Sequence, residues 1–472
     1  MKKLFLTGCL ILLNLTIALG QQDRVLQKID AFLQQKSEKG NIPGFSVAIV
    51  HQGKTIFAKG YGRTGDNKPV NADTPFAIAS LSKSFTAMAV MQLVETGKIK
   101  IDSPISDYLP SLGENGTKIT VRQLLNQTSG YSDLTFPELA FHDQPRTLQS
   151  AIERMKNVTL VSKPGEAFHY HNPNYQVLAR LVEVVSGESF PVYLDKNIFI
   201  PLNMSNTVSV SGTKDFYNVP GVNYTPGHVF LFGYPLKKKE PDWFIQGSAG
   251  MVSTSTDMAH WLIANMNKGI YKNHQVLSPQ GIQAMQTPYP GGSYAMGWIA
   301  GDSTLVRHNG ILWTSQAEQI ILKNKNYGIV ILFNSGLSAF QDYGSFTRGI
   351  TDIINGNNPE ISIFPTIAYE VLIAVIAILA IFMSCRRLTR TKQWEKKYAS
   401  RSKFLSWLWL IFRLTPMILL LSIPQIGTSM SGRVLSWDRI FWAMPSIVIL
   451  LSIVAVLNVI IVAARIYRLK AS

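Results

Sequence analysis

Three apolar stretches near the C-terminus restrict the folds open to this chain more than any other feature. Residues 364–385, 404–424 and 441–464 are each long enough, as helices, to cross the hydrocarbon core of a bilayer. The loop between the first two, 386–403, holds eight Lys/Arg against one Glu, and Arg465, Arg468 and Lys470 follow the third. Cytoplasmic loops carry such an excess, so both segments are expected inside and the chain before residue 364 outside. The N-terminus agrees. Lys2 and Lys3 precede an apolar run, and Ala18-Leu19-Gly20 offers small residues for cleavage, so residues 1–20 read as an export signal. The expected organisation is a signal (1–20), an extracytoplasmic domain (21–360) and a three-helix membrane region (361–472). Glu370 and Arg413 interrupt the first two spans. A charge within a bilayer is costly, so each is expected to pair with the other, to snorkel, or to face a polar interior.

Charge and cysteine usage then remove whole classes of function. The net charge of +16 would suit nucleic-acid binding. Its placement does not: residues 386–403 carry +7 and residues 404–472 carry +5, which leaves residues 21–385 nearly neutral. The two cysteines are Cys9 and Cys385, so residues 21–363 contain no disulfide, no metal-thiolate site and no cysteine nucleophile. No metal or cofactor is expected. The expected partners are a small-molecule or peptide substrate and the lipid bilayer.

Within the extracytoplasmic domain, β-rich runs lie at both ends. "FSVAIVHQGKTIFAKGYG" (45–62) reads as a hairpin turning at Gln52-Gly53-Lys54, and "SQAEQIILKN" with "YGIVILFNS" reads as another turning at Asn324-Lys325-Asn326. Residues 24–39 have helical apolar spacing. A helix is expected from about Ser80 to Glu95, stopped by Gly97. Residues 100–300 read mostly as short helical patterns broken by Pro and Gly. The fold class is therefore α/β (α+β): an antiparallel sheet built from both ends of the domain, flanked by helices, with an inserted, mostly helical subdomain.

The chemistry begins at "FAIASLSKSFTAMAV" (76–90). Serine followed three residues later by lysine occurs at Ser80/Lys83, Ser211/Lys214 and Ser400/Lys403. Ser211 sits in a glycine-containing loop and Ser400 in the basic loop. Only Ser80 opens an apolar helix, where residues three apart share a face and Lys83 can approach the serine hydroxyl. Helix N-terminal N–H groups favour a developing oxyanion, and burial favours the neutral, basic form of an amine. The bland alternative is a helix start with a solvent-seeking lysine. Two further stretches supply what a serine nucleophile needs. Tyr170-His171-Asn172 precedes an amphipathic helix, and its rival Tyr271-Lys272-Asn273 lies in a polar loop. His308-Asn309-Gly310 ends a strand pattern, whereas its rival His51-Gln52-Gly53 is a hairpin turn.

Together the stretches "FAIASLSKSFTAMAVMQLVETGKIKID", "ITVRQLLNQTSGYSD", "PGEAFHYHNPNYQVLARLVE", "IFIPLNMSNT", "GSAGMVSTSTDMAHWL" and "YAMGWI…RHNGI" resemble the class C β-lactamase and penicillin-binding serine hydrolase superfamily, over about residues 25–336. The resemblance implies that Ser80 is the acylated nucleophile, Lys83 its base and Tyr170 the second proton carrier. It gives Asn172 to the substrate amide or to Lys83, and the oxyanion hole to the backbone N–H groups of Ser80 and Ile311. His308 and Gly310 stand in the third motif, where many relatives have Lys-Thr-Gly, and Trp313 adds bulk nearby. A histidine is only partly charged near neutrality, so the resemblance implies a peptidase or esterase acting on D-amino-acid or acyl substrates, with weak β-lactam hydrolysis at most. The three C-terminal helices also resemble prodrug-activating peptidases of nonribosomal-peptide pathways, one of which has a serine where this chain has Asn172. A slowly acylating penicillin-binding sensor and an inactive scaffold are the non-enzymatic alternatives. The short cytoplasmic loop argues against the first, and the intact Ser80/Lys83/Tyr170 set against the second.

Overall fold

A computed structural model describes residues 22–137, 143–338, 340–361, 366–399 and 402–471. The export signal falls outside the described residues. A helix over 22–40 (α1) leads into β1 (Gly44–His51) and β2 (Lys54–Gly62). Gln52 and Gly53 both take positive φ, as a tight two-residue hairpin turn requires. The chain then enters α2 (Ser82–Glu95), crosses a helical region containing α3 (Pro173–Ser186), and forms a hairpin from β3 (Gly227–Leu231) and β4 (Tyr234–Lys238). After α4 (Ser255–Met266) it returns through β5 (Ile299–Asp302), β6 (Leu305–Ile311), β7 (Gln316–Leu322) and β8 (Tyr327–Phe333), and closes with α5 (Gly344–Ile354).

The main sheet has six strands in the order β5-β6-β7-β8-β1-β2, all antiparallel. β1 and β8 join the two ends of the domain in continuous register from Phe45↔Phe333 to His51↔Tyr327. β1 is buried along nearly its whole length because both faces are covered. Phe45, Val47 and Ile49 pack with Phe32 of α1 and Phe346 and Ile350 of α5. Ala48 and Val50 join the opposite core with Leu262 of α4. The mixed α/β fold with a terminus-built antiparallel sheet is as expected. The β3–β4 hairpin is not, since residues 100–300 read as helical. Pro235 and the few residues per strand leave too little alternation to mark it.

Three helices are long and apolar enough to cross a membrane: Ile367–Thr389, Lys403–Ser431 and Pro445–Lys470. The second is interrupted by a turn at Arg413-Leu414, just before Pro416. The third starts at Pro445, later than expected. Phe441 and Trp442 belong instead to a separate short helix, Trp437–Ala443. Glu370 and Arg413 do not meet. Arg413 donates to Asn458 Oδ1 at 3.1 Å, on the third span. Glu370 is buried beside the β3–β4 turn. That turn touches the bundle directly. Gly233 has φ +80°, and a Cβ there would lie 2.8 Å from Ile367 and 3.2 Å from Glu370. Phe232 N–H donates to Ser446 Oγ at 2.8 Å.

Candidate active site

α2 is apolar all round and buried for most of its length, so it runs through the domain interior. Its first turn is preceded by a 3-10 turn, Ala79–Leu81, which presents Ser80 half-buried at the helix entrance. Ala79 is held at φ +48°, a conformation that costs a non-glycine residue energy and that recurs at functional sites. One turn on, Lys83 is fully buried. Its Nζ lies 3.1 Å from Ser80 Oγ, 2.6 Å from Asn172 Oδ1 and 2.8 Å from the Ser248 carbonyl oxygen. The two carbonyl acceptors take two N–H groups. The remaining tetrahedral position of the nitrogen faces the serine hydroxyl.

Tyr170 and Asn172 come from the turn that opens α3, and Gln127 fixes that turn from both ends. The Gln127 carbonyl accepts from His169 N–H at 2.9 Å, while its side-chain oxygen accepts from His171 N–H at 3.1 Å and Asn174 Nδ2 at 2.6 Å. Gln127 itself has φ +61°. The Tyr170 ring stands 4.9 Å from Lys83 Nζ, measured to the ring centroid.

β6 forms the opposite wall. Leu312 N–H bonds to Ser315 in the β6–β7 connection. Backbone groups alternate in direction along a strand, so the N–H groups of Asn309 and Ile311 point to the edge away from β7. Gly310 allows β6 to approach the turn that carries Ser80: a Cβ there would lie 2.3 Å from the Ile78 carbonyl oxygen and 3.1 Å from Ala79 Cβ. The backbone N–H groups just beyond Ile311 are fixed by Glu240. This buried carboxylate accepts from Trp313 N–H at 2.8 Å, Thr314 N–H at 2.9 Å and Thr314 Oγ1–H at 2.6 Å. Burial, partly opposed by these hydrogen bonds, pushes its pKa up to about 7.

The structure brings Ser80, Lys83, Tyr170, Asn172, His308, Gly310 and Ile311 around one cleft, but corrects the expected charge of His308. That ring is 2% exposed, with Nε2 3.2 Å from Tyr294 Oη and Nδ1 2.7 Å from the Asn309 carbonyl oxygen. Burial, and then the nearby charge of Lys83, push its pKa down to about 3, against the backbone hydrogen bond. It is neutral near pH 7, not partly charged. The rivals lie apart: Ser211 Oγ is 3.4 Å from Gln246, and His51 stacks on Tyr327. One cavity borders the site through His308 and Asn309 without containing it. It lies between β5–β7 and α5, and none of Ser80, Lys83, Tyr170 and Asn172 lines it.

The sequence reading overlooked four residues of the site. Ser248 contributes only a carbonyl, and Tyr294 acts by orienting His308; both lie in stretches that carry the resemblance, but neither residue type signals its role. Asp133 and Arg433 are the others. Asp133 is 1% exposed and accepts from Arg439 Nη1 at 2.8 Å and from Val434 N–H at 2.7 Å. Arg433 lies 3.9 Å from the same carboxylate, with its guanidinium carbon 5.9 Å from the Tyr170 ring centroid. A signal was present: Arg433 and Arg439 sit between the second and third spans.

A family model described as Beta-lactamase matches residues 29–345. Protein flp of Staphylococcus aureus (strain NCTC 8325 / PS 47) is 28% identical over 468 residues, covering 92% of this chain and 90% of that one. A protein named Beta-lactamase from Escherichia coli (strain K12) is 29% identical over 305 residues, covering 63% and 72%. Among solved structures, the octameric penicillin-binding protein homologue from Pyrococcus abyssi aligns with a TM-score of 0.62 at 25% identity, covering 74% of this chain and 81% of its own. EstCE1, described as a hydrolase with promiscuous acyltransferase activity, shares the fold at 19% identity and a TM-score of 0.59, covering 71% and 99%. With the family model spanning well over half of its length, this chain belongs to the β-lactamase family of serine hydrolases.

Proposed function

We propose that this protein is a membrane-anchored extracytoplasmic serine hydrolase that works through an acyl-enzyme at Ser80 on a D-amino-acid peptide, acyl-amide or ester. The observation that carries this reading is the position of Lys83 Nζ, held by Asn172 and Ser248 with one direction left for Ser80 Oγ. Lys83 takes the Ser80 proton as Oγ attacks the substrate carbonyl carbon and the C–O bond forms. The N–H groups of Ser80 and Ile311 receive the negative oxygen. On collapse, the bond to the leaving nitrogen or oxygen breaks, and that atom takes the proton from Lys83 by way of Tyr170. Water then attacks the carbonyl carbon of the Ser80 ester and passes a proton to the same base; the bond from that carbon to Oγ breaks, Oγ takes the proton back, and the acyl group leaves as the acid. The neutral His308 gives no cation at the third motif, which favours peptide and ester hydrolysis. The names of the Pyrococcus abyssi and EstCE1 relatives point the same way. The basic segments 386–403 and 465–470 favour a cytoplasmic C-terminus and an outside catalytic domain.

The test is steady-state hydrolysis by the full chain in detergent, with p-nitrophenyl acetate and with the p-nitroanilides of D- and L-alanine. The expected result is turnover of the ester and a preference for the D-anilide, both abolished in Ser80→Ala and retained in Ser211→Ala. Activity that survives Ser80→Ala would contradict the reading.

A further inference from the structure

The cleft has a wall that the hydrolase domain does not make. Between the second and third spans, residues 432–436 and the short helix Trp437–Ala443 lie against the hydrolase domain rather than away from it. Their anchor is Asp133. Its buried carboxylate receives Val434 N–H at 2.7 Å and the Arg439 guanidinium at 2.8 and 3.4 Å. A second contact supports the first: Trp442 packs on Trp313, immediately beyond β6, with ring centroids 6.1 Å apart. The segment therefore touches the domain both at Tyr170 and at Trp313, just beyond β6. Arg433 stands on it, 5.9 Å from the Tyr170 ring centroid, with 37% of its side chain exposed. Tyr170 thus has the Lys83 amine and the Arg433 guanidinium as neighbours, one from the protein interior and one from the membrane region.

Those positions separate two tasks. Lys83 is enclosed by fixed acceptors and reaches Ser80. Arg433 lies over the Tyr170 ring, 3.9 Å from the Asp133 carboxylate. If Tyr170 returns the proton to the departing atom, the space beside it belongs to the leaving group. A guanidinium offers a planar fork of donors matched to two oxygens of a carboxylate, and it keeps its charge across the working pH range. On the opposite wall His308 is turned inward to Tyr294 and supplies no charge.

We propose that Arg433, from the loop joining the second and third spans, is a specificity-determining residue that binds a carboxylate on the leaving-group side of the substrate. The inference rests on the assignment of Ser80 and Tyr170 above. It makes the membrane region part of the substrate site as well as an anchor. Asp133 and Arg439 are positioning residues that hold the loop in place.

The experiment uses the full chain in detergent and two acetyl esters, 3-acetoxybenzoate and 3-acetoxybenzamide. They differ by a carboxylate or a neutral amide on the leaving group. Arg433→Gln is expected to lower kcat/KM for the carboxylate ester by roughly tenfold to a hundredfold, mainly through KM, as loss of a charge-assisted contact does. The carboxamide ester should change less than about threefold, and Arg433→Lys should recover part of the loss. Equal losses on both esters, or no loss on either, would overturn the proposal. A second arm does not depend on acylation. In a Ser80→Ala background, binding of 3-hydroxybenzoate and 3-hydroxybenzamide is followed by tryptophan fluorescence. The Arg433→Gln change should weaken only the benzoate, and equal affinities before and after it would overturn the inference. If the esters are not turned over but the benzoate still depends on Arg433, the Ser80 reading has failed and the binding site stands.

Discussion

The two sides of the cleft are built on different principles. Lys83 and Asn172 on the inner side are buried, and fixed polar partners hold the lysine on Ser80. On the outer side Arg433 is partly exposed and reaches the cleft through one anchoring carboxylate and one tryptophan pair. Burial without water gives precise placement, which proton transfer needs, because an unpaired buried group would be costly. Exposure leaves room for a substrate group to enter and exchange partners. The comparison suggests that chemistry lies with the interior and selection with the membrane-side wall.

The largest effect should come from breaking the inner side. Lys83→Ala removes the proposed base and leaves Ser80 in place. Acylation is expected to fall by roughly 10²–10⁴-fold, read by stopped-flow release of p-nitrophenol. Near-normal acylation would remove Lys83 from the mechanism. Gly310→Ala comes next. Its Cβ would meet the Ile78 carbonyl oxygen at 2.3 Å, so the backbone carrying Ser80 or β6 must shift. A cost of about 1–3 kcal/mol in thermal stability is expected, together with a lower kcat.

The junction between the two sides gives a pH-dependent test. Glu240 holds Trp313, which packs on Trp442, and its folded pKa of about 7 lies above the ordinary carboxyl value of 4.5. A raised carboxyl pKa means that the folded state binds more protons than the unfolded one between those values. Glu240 therefore makes the protein lose stability as pH rises from 4.5 through about 7. Across that window the melting temperature of the wild type should fall relative to that of Glu240→Gln, which has no group titrating there. Parallel curves would show that Glu240 does not titrate there.

The smallest effect concerns His308. Its folded pKa of about 3 keeps it neutral, so the ratio of kcat/KM between wild type and His308→Ala should be flat from about pH 5.5 to 9. A ratio that moves through the ordinary histidine range would restore the charged role read from the sequence.

Some of this was legible because local signals and tertiary structure agree. The turn at Gln52-Gly53 sits between β-rich runs, and the same hairpin forms. Ser80 precedes an apolar helix, and the serine and lysine share a turn at 3.1 Å. The burial of His308 was not legible, since its partner Tyr294 lies in a separate turn and gives no periodic signal. Arg433 was hidden for a different reason. It contacts Asp133 from 300 positions further along the chain, and within a membrane region an arginine reads first as topology. The clue lay in two arginines placed between the second and third spans.

Locating the acyl group tests the central claim most directly. The full chain is mixed with p-nitrophenyl acetate, quenched in acid within the burst, digested and sequenced by tandem mass spectrometry. The account predicts one acetyl group on the peptide that contains Ser80, absent in Ser80→Ala and slow to form in Lys83→Ala. An acetyl group found instead on Ser211, with Ser80 unmodified, would contradict it.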